Sequence, residues 1–307
     1  MAALNLKSKF LGCMIGSALG DALGELAFRY RHKQSLIFQL QKLPKLRYTD
    51  DTAMAIGLAE SIIKSGGLDL QNLGTTFKDN FQKEPWRGYG PGPPIVFTKA
   101  TQTGLTYAEA AQTLFGGQGS FGNGAAMRVA PAGLFFYSSS NLYQMASLSA
   151  SVTHAHPLGR DGAAVQAKAV SLAVNLSPEK SLPCSSFLKS LINFAQTQEL
   201  KEKLKMIEKL IETDLSPSKA AQQLGRSVAV HESLPFAIYS FLRYNRSFQE
   251  CVFCAILNGG DLDTLGAMAG AISGAYLGIE SIPQFWREKL ENKEYIENLA
   301  LKLFQMK

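Results

Sequence analysis

Apolar residues recur along this chain at helical spacing, and no stretch alternates apolar and polar positions with the two-residue period of a strand. Long apolar runs cover residues 10–26, 53–63, 125–137, 142–152, 162–174, 236–243 and 265–279. Residues 107–115 read as helical, and 250–257 lead into the last apolar run. Amphipathic stretches at 69–83, 187–211 and 288–305, with a further start at 217–228, predict helices nearer the surface. The 50–65 helix ends at Gly66-Gly67. The pattern predicts an all-α chain, residues 1–307 forming a single-domain compact helical bundle without an internal boundary.

Two of the apolar runs carry glycine at every fourth position: Gly12, Gly16, Gly20 and Gly24, then Gly266, Gly270, Gly274 and Gly278. An interior glycine costs a helix roughly 1 kcal/mol relative to alanine, so the pattern needs a reason. Spacing of four puts the glycines on a single bare ridge, where another backbone can come close. Membrane helices use a similar device. The second run, however, has only 16 uncharged residues, 264–279, short of the ~20 a bilayer requires, and Asp21 interrupts the first. Two buried helices at the centre of a bundle, able to pack on each other, are expected rather than a membrane span.

Between the helices, residues 85–94 are too rich in Gly and Pro for regular structure, and 116–124 (GGQGSFGNG) form a second glycine loop. Residues 117–122 fit the dinucleotide pattern G-x-G-x-x-G, but they follow a helix rather than a strand, which excludes a Rossmann unit. Consecutive N–H groups in such a turn can still cradle phosphate oxygens. Residues 177–186 read as a disordered polar loop. His154 and His156 precede Pro157 with no acid or cysteine at ligand spacing, so His154 reads equally as a ligand contact or a core histidine.

Acids stand where two apolar helices begin. Asn258-Gly259-Gly260-Asp261-Leu262-Asp263-Thr264 enters one, and Thr49-Asp50-Asp51-Thr52 enters the other. Either stretch could be an ordinary N-cap. Four carboxylates at the mouths of two buried helices would repel, however, and hard divalent cations prefer such oxygen ligands.

With 46% hydrophobic and 18% charged residues the composition is that of a soluble globular protein. A net charge of +6 and a pI near 9.0 would suit an anionic ligand. The basic residues are scattered, and those at 201–209 alternate with glutamate, which argues against a nucleic-acid partner. Cys251 and Cys254 form a lone CxxC in an apolar pattern and read as core cysteines in a reducing compartment. Lys7 and Lys9 before an apolar run faintly suggest a signal peptide, but the glycines and Asp21 make a poor signal core. The expectation is a cytoplasmic monomer.

Gly20-Asp-Ala-Leu-Gly24, Thr49-Asp-Asp-Thr52 and Gly259-Gly-Asp-Leu-Asp-Thr264 together resemble the ADP-ribosylglycohydrolase family, over nearly the whole chain. Arg87-Gly-Tyr-Gly90, residues 119–130, Thr153-His-Ala155 and residues 232–239 look closest to its ADP-ribosylhydrolase 3 type, which acts on ADP-ribosyl-serine, poly(ADP-ribose) and O-acetyl-ADP-ribose. The resemblance implies a metal-dependent hydrolase that acts on ADP-ribosylated proteins or related small molecules and releases ADP-ribose. It implies a binuclear Mg²⁺ site (Mn²⁺ being the alternative) held by Thr49, Asp50, Asp51, Asp261, Asp263 and Thr264 at the helix N-termini. Gly119, Ser120, Gly122 and Asn123 would embrace the diphosphate with Gly88 nearby, and His154 would contact the distal ligand. Phe115 and Phe121, joined by Val228, would flank the adenine; as ordinary core aromatics the two phenylalanines would need no ligand.

One departure bears on mechanism. The family places a glutamate a few residues after Gly-Asp-x-x-Gly, and counting from Gly20 puts Phe28 there, with Glu25 three residues earlier. Glu25 is therefore the candidate catalytic acid, unless the acid is absent. Hydrolysis of an arginine N-glycosidic bond, or binding of ADP-ribose without turnover, are the alternative functions.

Overall fold

The computed structural model describes residues 2–307, with side chains from Leu6 onward. Its axis is an antiparallel pair of helices, Ala2–Ala27 and Leu262–Leu277. Their glycines face one another backbone to backbone. A Cβ added at Gly12 would lie 2.4 Å from the carbonyl oxygen of Gly274, one at Gly16 2.5 Å from that of Gly270, and one at Gly20 1.9 Å from that of Gly266. The ridges are therefore the contact itself. The helix segment Leu6–Ala27 is long and apolar enough to span a bilayer, yet 83% of its apolar 18-residue window is buried inside the protein.

Pro157–Asn175, Val230–Arg243 and Phe248–Ile256 pack on the second ridge helix, and Lys293–Gln305 packs on the first. The Asp50–Ser65 helix meets the first ridge helix through Asp21 and ends, as expected, at Gly66 in the left-handed region. Two isolated bridges, Leu46 with Leu290 and Gly122 with Ala229, are the only strand-like pairings among the described residues. Cys13, Cys251 and Cys254 are buried free thiols, in keeping with core cysteines.

Several element boundaries differ from the sequence pattern. Of 125–137 only Ala130–Phe135 is α-helical, because Asn123 donates to the Val228 carbonyl and starts a 3-10 turn, Asn123–Ala125, instead. The continuous amphipathic pattern at 187–211 is two helices, Cys184–Phe194 and Gln198–Glu212. The break is fixed from outside: Asp161 accepts hydrogen bonds from the Gln196 and Thr197 backbone and from Thr197 Oγ1. Prolines open helices rather than close them at Gly92–Thr103 and Pro157–Asn175, where the first turn tolerates a missing N–H. The helix expected from 236 starts at Val230 and carries Pro235 inside it. The 177–186 segment is tethered, its carbonyls at Ser177 and Lys180 accepting from Tyr276 Oη. The terminal 288–305 stretch divides into Gln284–Lys289 and Lys293–Gln305, the latter burying Ile296, Leu299, Ala300 and Leu303.

Candidate active site

Asp21 is fully buried in the first ridge helix. It accepts from the backbone N–H and hydroxyl of both Thr49 and Thr52, at 2.5–3.0 Å. These bonds clamp the start of the Asp50–Ser65 helix against the ridge pair. Burial pushes the Asp21 carboxyl up to about 6 against the lowering effect of its hydrogen bonds. From sequence, Asp21 reads as an interruption of the apolar run and as part of the Gly20–Gly24 motif, with no contact assigned to it; an acid directly after a ridge glycine was the available signal.

The clamp aims Asp50 and Asp51 at Asp261 and Asp263. Asp261 is the N-cap of the second ridge helix, but its side chain caps nothing; Asn123 Nδ2 donates to its Oδ2 at 2.7 Å. Thr49 does cap its helix, accepting from Asp51 N–H at 3.4 Å. Capping thus explains Thr49 and leaves the four carboxylates unexplained. Burial raises Asp50 to about 7, helped by Asp21 and Asp261, and raises Asp263 to about 8, helped by Asp261 and Asp21. Asp51 is driven well above the carboxylate range by burial and then by Asp263, and its buried Oδ2 has no hydrogen-bond partner.

These groups line a cavity of about 400 Å³ together with Thr264, Gly88, Phe115, Ser120, Gly122, Asn123, His154 and Val228. Among the described residues no three His, Cys, Asp or Glu side chains form a ready-made metal cluster; Asp261, for one, is held by Asn123. The donor chemistry nonetheless fits a hard divalent cation: all ligands are oxygen, one buried carboxylate oxygen is orphaned, and the acids raise one another.

Opposite the acids runs the glycine loop. Gly116, Gly117 and Gly119 have positive φ, and a side chain at Gly119 would strike the His156 backbone. The loop is pinned by the bridge to Ala229, while Ser120 Oγ accepts from the Gly122 N–H. The N–H groups of Ser120 and Phe121 donate to no acceptor among the described residues. Beneath the loop, Arg128 is a buried cation donating to the Gly124 carbonyl and to Thr153 Oγ1. Thr153 in turn contacts His154 Nδ1 at 2.8 Å. The other ring nitrogen, His154 Nε2, lies beside Gly122 and Gly124. Burial, then Arg128, lowers His154 to about 3, so it is neutral. Arg128, missed from sequence, was legible only as a charge inside the apolar run.

Phe115 and Val228 are exposed on the cavity rim. Phe121 packs edge-on against His156 and, with Gly119, lies outside the cavity wall itself. Glu25 and Thr49 line a second cavity, which shares Gly88 and Asp263 with the first. Phe28 faces a third, with Arg31 and Gly259. Of these two residues, only Glu25 therefore adjoins the acids.

A family model described as ADP-ribosylglycohydrolase matches residues 2–307. The ADP-ribosylhydrolase ARH3 of Homo sapiens is 35% identical, over 97% of this chain and 93% of that protein. The ADP-ribosylarginine hydrolase Tri1 of Serratia proteamaculans is 28% identical, over 97% and 79%. A solved structure titled ADP-ribosylglycohydrolase-related protein complex superposes with a TM-score of 0.68 at 25% identity, covering 98% of each chain.

Proposed function

The chain belongs to the ADP-ribosylglycohydrolase family and is a glycosidic-bond hydrolase, and from that premise we propose that it releases ADP-ribose from an O-glycosidic linkage to serine, using two Mg²⁺ ions. The observation that carries this reading is the convergence of two acidic helix entrances and the glycine loop on one cavity of about 400 Å³. The serine linkage rests on the resemblance of residues 119–130 to the ADP-ribosylhydrolase 3 type.

Thr49, Asp50, Asp51, Asp261, Asp263 and Thr264 would hold the ions, which when bound supply Lewis-acid polarisation of the ribose hydroxyls and of water. Asn123 fixes the Asp261 carboxylate through its hydrogen bond. The free N–H groups at Ser120 and Phe121 take the diphosphate oxygens, and Gly122 and Gly88 on the cavity wall leave room for its approach. His154 offers an uncharged ring nitrogen, Nε2, to the distal part of the ligand. Phe115 and Val228, on the cavity rim, present apolar surface to the adenine. In the reaction a water oxygen adds to the anomeric carbon through an oxocarbenium-like transition state. The bond to the serine oxygen breaks with its electron pair, that oxygen takes a proton from Glu25, and Glu25 recovers one from the attacking water.

The test is release of free ADP-ribose from a serine-ADP-ribosylated peptide, with Mg²⁺ and with chelator, beside an arginine-linked control. Metal-dependent release from the serine peptide alone, lost in Asp261→Asn, is expected. Release from the arginine substrate alone would move the linkage, and ADP-ribose binding without release from either would make this a binding protein.

A further inference from the structure

The first cavity holds one charged side chain to which the reading above gives no part. Its wall carries four carboxylates, Asp50, Asp51, Asp261 and Asp263, and a single guanidinium, Arg128. His154, the other basic side chain there, stays neutral. Arg128 is 1% exposed. Burial lowers it to about 9 against the raising effect of Asp50, so it is charged at neutral pH.

The contacts of Arg128 are all with uncharged groups. The guanidinium donates to the Gly124 and Ser149 carbonyls, to Thr153 Oγ1 and, at 3.8 Å, to Met54 Sδ, and it lies 4.8 Å from the Phe77 ring. Among the described residues no carboxylate comes within ion-pair distance of it. Burying a charge on neutral partners alone is costly, and that cost is offset when a negative charge arrives nearby. Asp50 is the one carboxylate whose field reaches Arg128, and in the hydrolase reading a bound cation balances that acid. What remains is the ligand. Arg128 Nη1 is held at 3.1 Å by the Gly124 carbonyl, the last residue of the glycine loop, and the free N–H groups of that loop carry only partial charges.

Resting on the proposed hydrolase reading, we infer that Arg128 is a positioning residue for the diphosphate: its uncompensated charge, anchored through Gly124, completes the pull of the glycine loop on the ligand's phosphates.

Two variants separate charge from packing. Arg128→Lys keeps the charge, whereas Arg128→Gln removes it and keeps a donor for Gly124 or Thr153. In calorimetric titrations at fixed Mg²⁺, the Kd for ADP-ribose should rise at least about tenfold in Arg128→Gln and no more than about threefold in Arg128→Lys, the order expected of a partly screened charge pair. Mg²⁺ titrated without ligand gives the opposite sign. Losing a cation near Asp50 should leave Mg²⁺ binding as tight as in the wild type or tighter, whereas a distorted cavity would bind both more weakly. In turnover of the serine-linked peptide, KM should rise in Arg128→Gln while kcat holds, because the diphosphate is gripped alike in the ground and transition states. A loss of ADP-ribose affinity in Arg128→Lys as large as in Arg128→Gln, no loss in Arg128→Gln, or a joint loss of Mg²⁺ and ADP-ribose binding would overturn the inference. Should Arg128→Gln not fold, Arg128→Met, which leaves an apolar chain among Met54 and Phe77, takes its place under the same criteria. A wild-type protein that binds ADP-ribose and cleaves neither the serine- nor the arginine-linked substrate overturns the hydrolase reading alone, and the affinity comparison still decides Arg128.

Discussion

Replacing Gly270 by alanine tests the central packing most directly. Its added Cβ would lie 2.1 Å from the Gly16 carbonyl oxygen and 2.9 Å from the Gly16 carbonyl carbon. Ordinary contact begins near 3.4 Å, so the helices must part by about 1.3 Å at this level. Both sides of the contact are helix backbone, which cannot turn away as a side chain could. Alanine gains roughly 1 kcal/mol of helix propensity, while overpacking a core typically costs 1–3 kcal/mol and more against rigid backbone. The strain wins, and a net loss of about 2 kcal/mol is expected. It should appear as a lower urea midpoint with unchanged slope. Parting the ridge helices also carries Asp263 away from Asp51, so activity should fall in protein still fully folded. Gly67→Ala, with nothing within 4 Å of the added methyl, serves as the control and should be tolerated. A Gly270→Ala protein as stable as wild type would refute the backbone-to-backbone contact.

Folded-state carboxyls raised to about 7 at Asp50 and about 8 at Asp263 make the metal-free fold bind more protons than the unfolded chain between about pH 4 and 8. Stability from these groups is complete below pH 4 and is lost as pH rises through 7 and 8. Thermal melts with chelator should therefore weaken from pH 5 to 8, and Mg²⁺ should raise Tm more at pH 8 than at pH 5; equal shifts would count against the site. Lys9 Nζ donates to the Ala173, Val174 and Leu176 carbonyls at the end of the Pro157–Asn175 helix, so Lys9→Met should cost about 1–3 kcal/mol in urea unfolding. With its pKa lowered to about 3, the His154 ring should show no NMR titration between pH 5 and 8, and an inflection near 6.5 would break the assigned Arg128–Thr153–His154 chain.

The ridge was legible because glycines at spacing four have few other uses, and the acids because they stand at the mouths of apolar runs. What escaped was tertiary. Nothing local marks residues 195–197 as a break, since Asp161 imposes it from another helix. Nothing in the 125–137 pattern announces that the Val228 carbonyl holds Asn123 in a 3-10 turn and that the α-helix waits until Ala130. Asp21 was visible as an oddity, but its work at Thr49 and Thr52 depends on a helix that begins some thirty residues later. The two cavities, and Glu25's position on the second, depend on loops brought together only by the whole bundle.

The ridge helices also set a timetable. Gly20 and Gly266 lie 246 residues apart in the chain, so during synthesis the first helix emerges long before its partner exists. At roughly 5–20 residues per second this interval lasts on the order of ten seconds or more. Throughout it, a 22-residue apolar helix with bare backbone along one side stands uncovered. It has the length of a membrane segment, and Asp21 has no threonines to hold. The covering helix, Leu262–Leu277, falls in about the last sixth of the chain, so the cavity between the two acidic helix entrances is among the final features to form.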